Sequence, residues 1–210
     1  MPVFDRLGAE LPLEYAPWCE QRDGGDWPQA AVLVALTETA EPEVILGRRA
    51  MHLPLHPGEV AFPGGKRERV DASPWETALR EADEEVGLAR EQVQPIAELA
   101  PLITRTGFEV YPCVARVPAQ LQLVVDTREF DSVFQLPLQT FADAGLFRLE
   151  EMSDGVRSRK VPHYQVADDN IWGVTAAVLA QLVNVAYDAG LDLQRDWKHA
   201  PRNTAWETIK

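Results

Sequence analysis

The chain has 210 residues and a formal net charge of −13, from 20 Lys and Arg against 33 Asp and Glu. That acidity excludes a nucleic-acid scaffold, because backbone binding depends on a basic surface that releases counterions. A composition 46% hydrophobic and 25% charged fits one globular domain with a substantial core, and no run approaches the ~20 apolar residues of a membrane span. The first residues, MPVFDRLGAELPLEY, have neither the basic start nor the apolar stretch of a secretory leader. Cys19 and Cys113 lie far apart and form no disulfide framework or metal spacing, so both are expected to be thiols in a reducing, cytoplasmic compartment. Neither nucleic acid nor membrane is an expected partner.

Residues 1–29 carry Trp18 and Trp27 among Pro and Gly and are expected to form a helix and loop closing over the core. Ala30 to Leu36 and Val44 to Leu46 are apolar runs separated by Glu41-Pro42-Glu43, which predicts a hairpin. Basic residues then gather at Arg48, Arg49, His52, His56, Lys66, Arg67 and Arg69. Arg48 and Arg49 follow a strand and precede a glycine turn, which makes them the better candidates for an anionic substrate; Arg67 and Arg69 can simply solvate the loop.

Ser73-Pro74-Trp75-Glu76 reads as a capping box with Pro at the first helical position, so a helix is expected from about Pro74. Gly87 follows the last periodic residue and can take the left-handed conformation that ends it. At helical spacing Trp75, Leu79, Ala82 and Val86 make one apolar stripe, while Glu81 and Glu85 project from a neighbouring face with Glu84 beside them. Taken alone, READEE reads most simply as a solvated acidic face, as most charge runs are. The glycine turn and the capped register add a second reading. Like charges one turn apart repel unless a cation sits among them, and hard oxygen ligands suit Mg2+ or Mn2+. Arg80, always protonated, is placed to orient these carboxylates.

Val93 to Leu102 is apolar but interrupted by Pro95 and Pro101, which predicts a short strand or a sheet edge. Val110 to Val117 and Leu121 to Val125 read as further strands broken at Pro118. From Asn170 onward, Val174, Val178, Leu182 and Val185 give a helical face and the other positions are also largely apolar, so this helix is expected to be buried, with Asp169 or Asn170 as its cap. Asp192 to Lys210, with Trp197, Pro201 and Trp206, reads as a tail that docks on the domain or on a second subunit, which admits a homodimer.

Residues 62–88, FPGGKRERVDASPWETALREADEEVGL, resemble the Nudix hydrolase signature. Gly65, Arg80, Glu81, Glu84, Glu85, Gly87 and Leu88 match it in kind and order, Asp71 stands where the first Glu is expected, Ala82 replaces a larger aliphatic residue, and one extra residue separates Asp71 from Arg80. That Asp and that spacing are similar to the coenzyme A pyrophosphatase branch of the family. Residues 45–50 (ILGRRA), 58–65 (GEVAFPGG), 129–138 (EFDSVFQLPL) and 171–176 (IWGVTA) resemble its other landmarks, except that Gly47 stands for a Thr and Pro54 for an Arg.

The resemblance implies an α/β fold, a Nudix-like α/β/α sandwich with a mixed β-sheet, over residues 30–190, with 1–29 as an extension packing on the core and 191–210 as a tail. It implies Mg2+ or Mn2+ held by Glu81 and Glu85, with Glu84 as a further ligand or proton acceptor and the Gly64 carbonyl completing the shell. Arg80 joins the catalytic set. Glu129 is the candidate general base, with Glu109 and Asp126 competing; Arg48, Arg49, Phe62 and Gly65 are placed on the substrate side. The implied substrate is a small-molecule nucleoside diphosphate derivative, coenzyme A or its thioesters first, giving 3′,5′-ADP and a phosphopantetheine product. Another Nudix substrate, such as an ADP-sugar, a dinucleotide or a nucleoside triphosphate, is the second reading. A protein that senses a nucleotide without cleaving it is the third.

Overall fold

A computed structural model describes residues 1–14, 18, 28–104, 107–153 and 158–193. Strands β1 (Gln29–Thr37) and β2 (Glu43–Arg49) form the expected antiparallel hairpin, with Leu36 opposite Val44 and the Glu43 N–H donating to the Thr37 hydroxyl at 2.8 Å. β1 also runs parallel to β7 (Glu109–Val117) from the Gln29–Glu109 pair to the Thr37–Val117 pair, which makes the sheet mixed. A parallel pair needs cover on both faces, and β1 has it. Ala31, Leu33 and Ala35 belong to one apolar cluster, whereas Val34 and Leu36 belong to the other.

Helix α2 (Pro74–Val86) supplies Ala78, Leu79, Ala82 and Val86 to the first cluster. Helix α3 (Gly173–Tyr187), apolar around most of its surface, fills the second together with Leu7 of α1 (Val3–Glu10). Helices therefore lie on both faces of the sheet, giving the expected α/β/α layering. The strand order is β3-β2-β1-β7-β5, with β3 at Val60–Ala61 and β5 at Gln94–Glu98; β4 (Gly64–Lys66) pairs with β1, β6 (Leu102–Ile103) with β7 and β8 (Phe130–Pro137) with β2. Pro95 sits on the edge strand β5 at a register slip, where its missing N–H is tolerated.

Two expectations are corrected. Leu121 to Val125 is not a strand: Leu121, Leu123 and Val125 do alternate onto the α2 cluster, but the Val124 and Asp126 N–H groups bond the Val86 and Glu85 carbonyls at 2.9 and 2.8 Å. The segment pairs with the end of a helix instead of with a sheet. Asp169 and Asn170 do not cap α3, because they lie in β11 (Asp169–Trp172), and α3 starts after Trp172 without a side-chain cap. That strand belongs to a separate three-stranded sheet with β9 (Phe147–Ser153) and β10 (Ser158–Val166), which the sequence reading did not anticipate.

A helix does form in the first 29 residues, and Trp18 is buried edge-on against Tyr111 with ring centroids 4.8 Å apart. Cys113 is a buried free thiol. Trp27, Cys19 and the tail from residue 194, with Trp197, Pro201 and Trp206, lie outside the described residues. No described helix is long and apolar enough to cross a membrane.

Candidate active site

The acidic helix is anchored at both ends. The Ser73 hydroxyl accepts from the Glu76 N–H at 3.3 Å, Pro74 takes the first helical position, and Glu76 reaches back to the Ala72 N–H at 2.8 Å, one residue earlier than the box predicts. Gly87 adopts φ 66°, and the Leu88 N–H closes on the Ala82 carbonyl at 3.2 Å, so the helix stops where the left-handed residue stands.

Two glycines let β4 lie close to its neighbours, β1 and α2. A Cβ on Gly64, whose φ is 157°, would run into the Ala31 carbonyl and the Val32 Cα of β1. A Cβ on Gly65 would overlap the Glu81 carboxylate, so this glycine makes room for the acid beside it. The Gly64 N–H donates to Glu85 Oε2 at 2.9 Å.

The three glutamates differ in environment. Glu85 is only 5% exposed. Burial pushes its carboxyl up to about 8; the Gly64 N–H works against this, Glu81 and Glu129 reinforce it, and Arg49 opposes it. Burial also raises Glu81, against the pull of Arg80, and Glu84 and Glu129 add to the rise. Glu84 is 61% exposed and lies 3.5 Å from Arg80.

Arg80 organises this flank. It donates from Nη2 to Asp71 Oδ2 and to the Lys66 carbonyl, both at 3.0 Å, and from Nη1 to Glu81 Oε1 at 3.0 Å. Burial alone would raise the Asp71 carboxyl, but Arg80, the Glu68 N–H and the Thr77 hydroxyl outweigh it and hold it below the usual carboxylate range. Thr77, 2.8 Å from Asp71, was missed by the sequence reading. Its position on the buried side of α2, among Ala78, Leu79 and Ala82, was the available signal.

The remaining candidates separate by strand parity. Ile45 of β2 packs in the α2 cluster, and Gly47 and Arg49 follow it at the alternate positions of the same strand. Arg49 lies 3.8 Å from Glu129 and lowers the Glu85 carboxyl. Arg48 turns to the opposite face, where it bonds Asp169 Oδ2 at 2.8 Å and covers the Phe134 ring at 5.8 Å. Arg48 and Arg49 thus do not share a site. Phe62, 4% exposed, is part of the α3-side core and presents almost no surface to a ligand, which corrects its placement on the substrate side. Glu129 bears electrostatically on both Glu81 and Glu85. Its rivals are placed differently: Asp126 is gripped by Arg128 at 2.7 Å, and Glu109 is buried at the head of β7 opposite Gln29. Of the basic residues, Arg67 covers Trp18 and bonds Gln29, Arg69 is exposed on the loop, and His56 pairs with Glu59.

Among the described residues no three His, Cys, Asp or Glu side chains stand together as a ready-made metal cage. Arg80 takes one Glu81 oxygen and the Gly64 N–H takes one Glu85 oxygen. The donor chemistry nevertheless suits a hard divalent cation, because a buried and a partly buried carboxylate raised by desolvation and mutual repulsion are the groups such a charge would relieve.

The family model of the NUDIX domain matches residues 27–165. The chain is 38% identical over 159 residues to the uncharacterized Nudix hydrolase NudL of Yersinia enterocolitica, a match covering 74% of this chain and 82% of that one. It is 38% identical over 179 residues to the uncharacterized Nudix hydrolase NudL of Pectobacterium atrosepticum, covering 84% and 89%. A MutT/nudix family protein from Enterococcus faecalis has a similar fold, with a TM-score of 0.55 and 16% identity over 81% of this chain and 66% of that one. With signature, layering and relatives in agreement, the chain belongs to the Nudix hydrolase family.

Proposed function

We propose that this Nudix hydrolase cleaves the diphosphate of coenzyme A or its derivatives to 3′,5′-ADP and a 4′-phosphopantetheine product, as a cytoplasmic enzyme using Mg2+ or Mn2+. The observation that carries the chemistry is that Glu81, Glu85 and Glu129 bear electrostatically on one another, with Arg49 3.8 Å from Glu129 and lowering the Glu85 carboxyl. A P–O–P bond resists water because its anionic oxygens repel a nucleophile, and a bound divalent cation neutralises phosphate charge and acidifies a water. Glu81 and Glu85 would hold it, with Glu84 and the Gly64 carbonyl as further donors. Arg80 fixes the Glu81 carboxylate through its bonds to Asp71 and the Lys66 carbonyl. Arg49 is the charge that meets substrate phosphate, and Glu129, 42% exposed on its side chain, is the general base that accepts the proton of the attacking water.

The substrate assignment is supported by the Asp71 register and by the likeness of residues 64–88 to the coenzyme A pyrophosphatase branch. Gly47 and Pro54, where that branch has Thr and Arg, favour the second reading, an ADP-sugar, dinucleotide or nucleoside triphosphate. The intact acidic cluster weighs against a sensor that does not turn its nucleotide over. The deciding experiment incubates the protein with coenzyme A, acyl-coenzyme A, ADP-ribose, a dinucleotide and a nucleoside triphosphate, each with Mg2+ or Mn2+, and identifies products by mass. Release of 3′,5′-ADP is the expected result. A rate on ADP-ribose or a dinucleotide about a hundredfold above any coenzyme A form would replace the first substrate with the second.

A further inference from the structure

We propose that Phe130 is a positioning residue for this site: its ring occupies the space that Gly47 leaves vacant and fixes the β-bulge that aims Arg49 and Glu129 at the acidic helix. The inference rests on the roles proposed above for those two side chains.

Gly47 lies within β2, opposite Ala61 on one side and Val133 on the other. Glycine inside a strand weakens it, so its presence asks for a packing reason. A Cβ at this position would lie 2.5 Å from both Cδ1 and Cε1 of Phe130 and 2.8 Å from Cγ. These are mid-ring atoms of a side chain only 1% exposed, packed in the α2-side cluster, so the ring cannot swing aside cheaply. The glycine and the ring are two halves of one fit.

The fit sits where the ladder breaks. β2 and β8 pair in regular register from Glu43–Pro137 to Arg48–Ser132, and then Arg49 faces Phe130, which leaves Asp131 as the extra residue. Bulges bend a strand and re-aim its side chains. Here the Ala50 N–H bonds the Glu129 carbonyl at 2.9 Å, and the Met51 N–H bonds Asp131 Oδ2 at 3.1 Å, holding both sides of the bulge. The Glu129 and Phe130 N–H groups share the Asp126 carbonyl at 3.0 Å, and the Asp126 N–H reaches the Glu85 carbonyl at 2.8 Å. Phe130 is thus the apolar pin of a backbone chain that runs from β2 through the bulge to the last turn of α2. Arg49 and Glu129 emerge beside that pin, 3.8 Å apart.

The test is a double-mutant cycle of Gly47→Ala, Phe130→Leu and the double variant. Steady-state kinetics on the fastest substrate of the diphosphate panel are measured at a temperature where circular dichroism shows each variant fully folded. Gly47→Ala and Phe130→Leu are each expected to lower kcat/KM by about tenfold, a misplacement effect, and the double variant to recover to within about threefold of wild type, because Leu vacates the space the new methyl needs. A pair that only supports the fold would move the melting temperature and leave kcat/KM of the folded enzyme alone. Crystal structures of the same variants form a second arm that needs no turnover: the Arg49–Glu129 pair should be lost in Gly47→Ala and regained in the double variant. Should Gly47→Ala not fold, Phe130→Leu alone decides both arms. Retention of the Arg49–Glu129 pair in the folded single variants, or losses in kcat/KM that simply multiply, overturns the proposal. A wild-type protein inactive on every diphosphate defeats the proposed function instead, and the crystallographic arm still judges the pin.

Discussion

Glu85 is the residue at which the chemistry of the site is most exposed to measurement. Without a cation its carboxyl sits at about 8, against an ordinary value of 4.5. Between those values the folded state keeps a proton that the unfolded state has lost, so stability must fall as pH rises through the window. Glu81, raised by the same burial, acts with the same sign, whereas the Asp71 carboxyl is held low and contributes stability lost only in more acidic solution. In EDTA the melting temperature is therefore expected to drop between about pH 5 and about pH 8, and Mg2+ or Mn2+ should restore it at the upper end. Glu85→Gln should flatten the pH slope, abolish the metal-induced gain and cut turnover by at least about a hundredfold while the protein stays folded. A flat curve in EDTA, or a Gln variant that still gains stability from metal, would remove Glu85 from the metal site. At this scale the acidic cluster and Arg80 were legible because their spacing and their glycines are local. The assignment of Phe62 was not, because both faces of this sheet are covered by apolar layers and no polar alternation marks which side a residue takes.

The element that carries the site is held by its caps as much as by its apolar stripe. Ser73→Ala removes the bond to the Glu76 N–H but leaves Glu76 on Ala72, so it should cost about 1 kcal/mol, or about 2–4 °C in melting temperature, with activity reduced only as far as the first turn frays. Scanning calorimetry of the two proteins checks it; an unchanged transition would mean that the Glu76–Ala72 contact alone caps the helix. Elements with a self-contained signal were read correctly from sequence: the capped α2, the β1–β2 hairpin and the proline-marked edge strand. Residues 121–125 show what that reading lacks. Their apolar alternation suggested a strand, but their donors go to the Val86 and Glu85 carbonyls, and a hydrogen-bond partner distant in sequence leaves no local trace. The β9–β11 sheet was missed for a related reason. Strands such as Phe147–Ser153 are largely exposed and charged, so they lack the apolar run by which a strand is recognised.

Across the whole molecule, the mixed sheet separates two apolar layers, and β2 sends an arginine to each side. Arg49 faces the acidic helix, and Arg48 ties the main sheet to the small one through Asp169 of β11. Since both partners of the Arg48–Asp169 pair are about one-third exposed, the tie contributes no more than about 0.5–1 kcal/mol after screening. Arg48→Ala should therefore lower the melting temperature slightly and leave KM for a diphosphate substrate unchanged. Arg49→Ala should raise KM by about tenfold or more, because its charge is among the few positive ones beside the carboxylates of a chain whose net charge is −13. Comparing coenzyme A with dephospho-coenzyme A then shows which phosphate Arg49 reads: an equal rise for both places it on the diphosphate, and a rise confined to coenzyme A places it on the 3′-phosphate. If Arg48→Ala raises KM as much as Arg49→Ala does, substrate spans both faces of β2, and the division of the sheet into a catalytic side and a structural side is wrong.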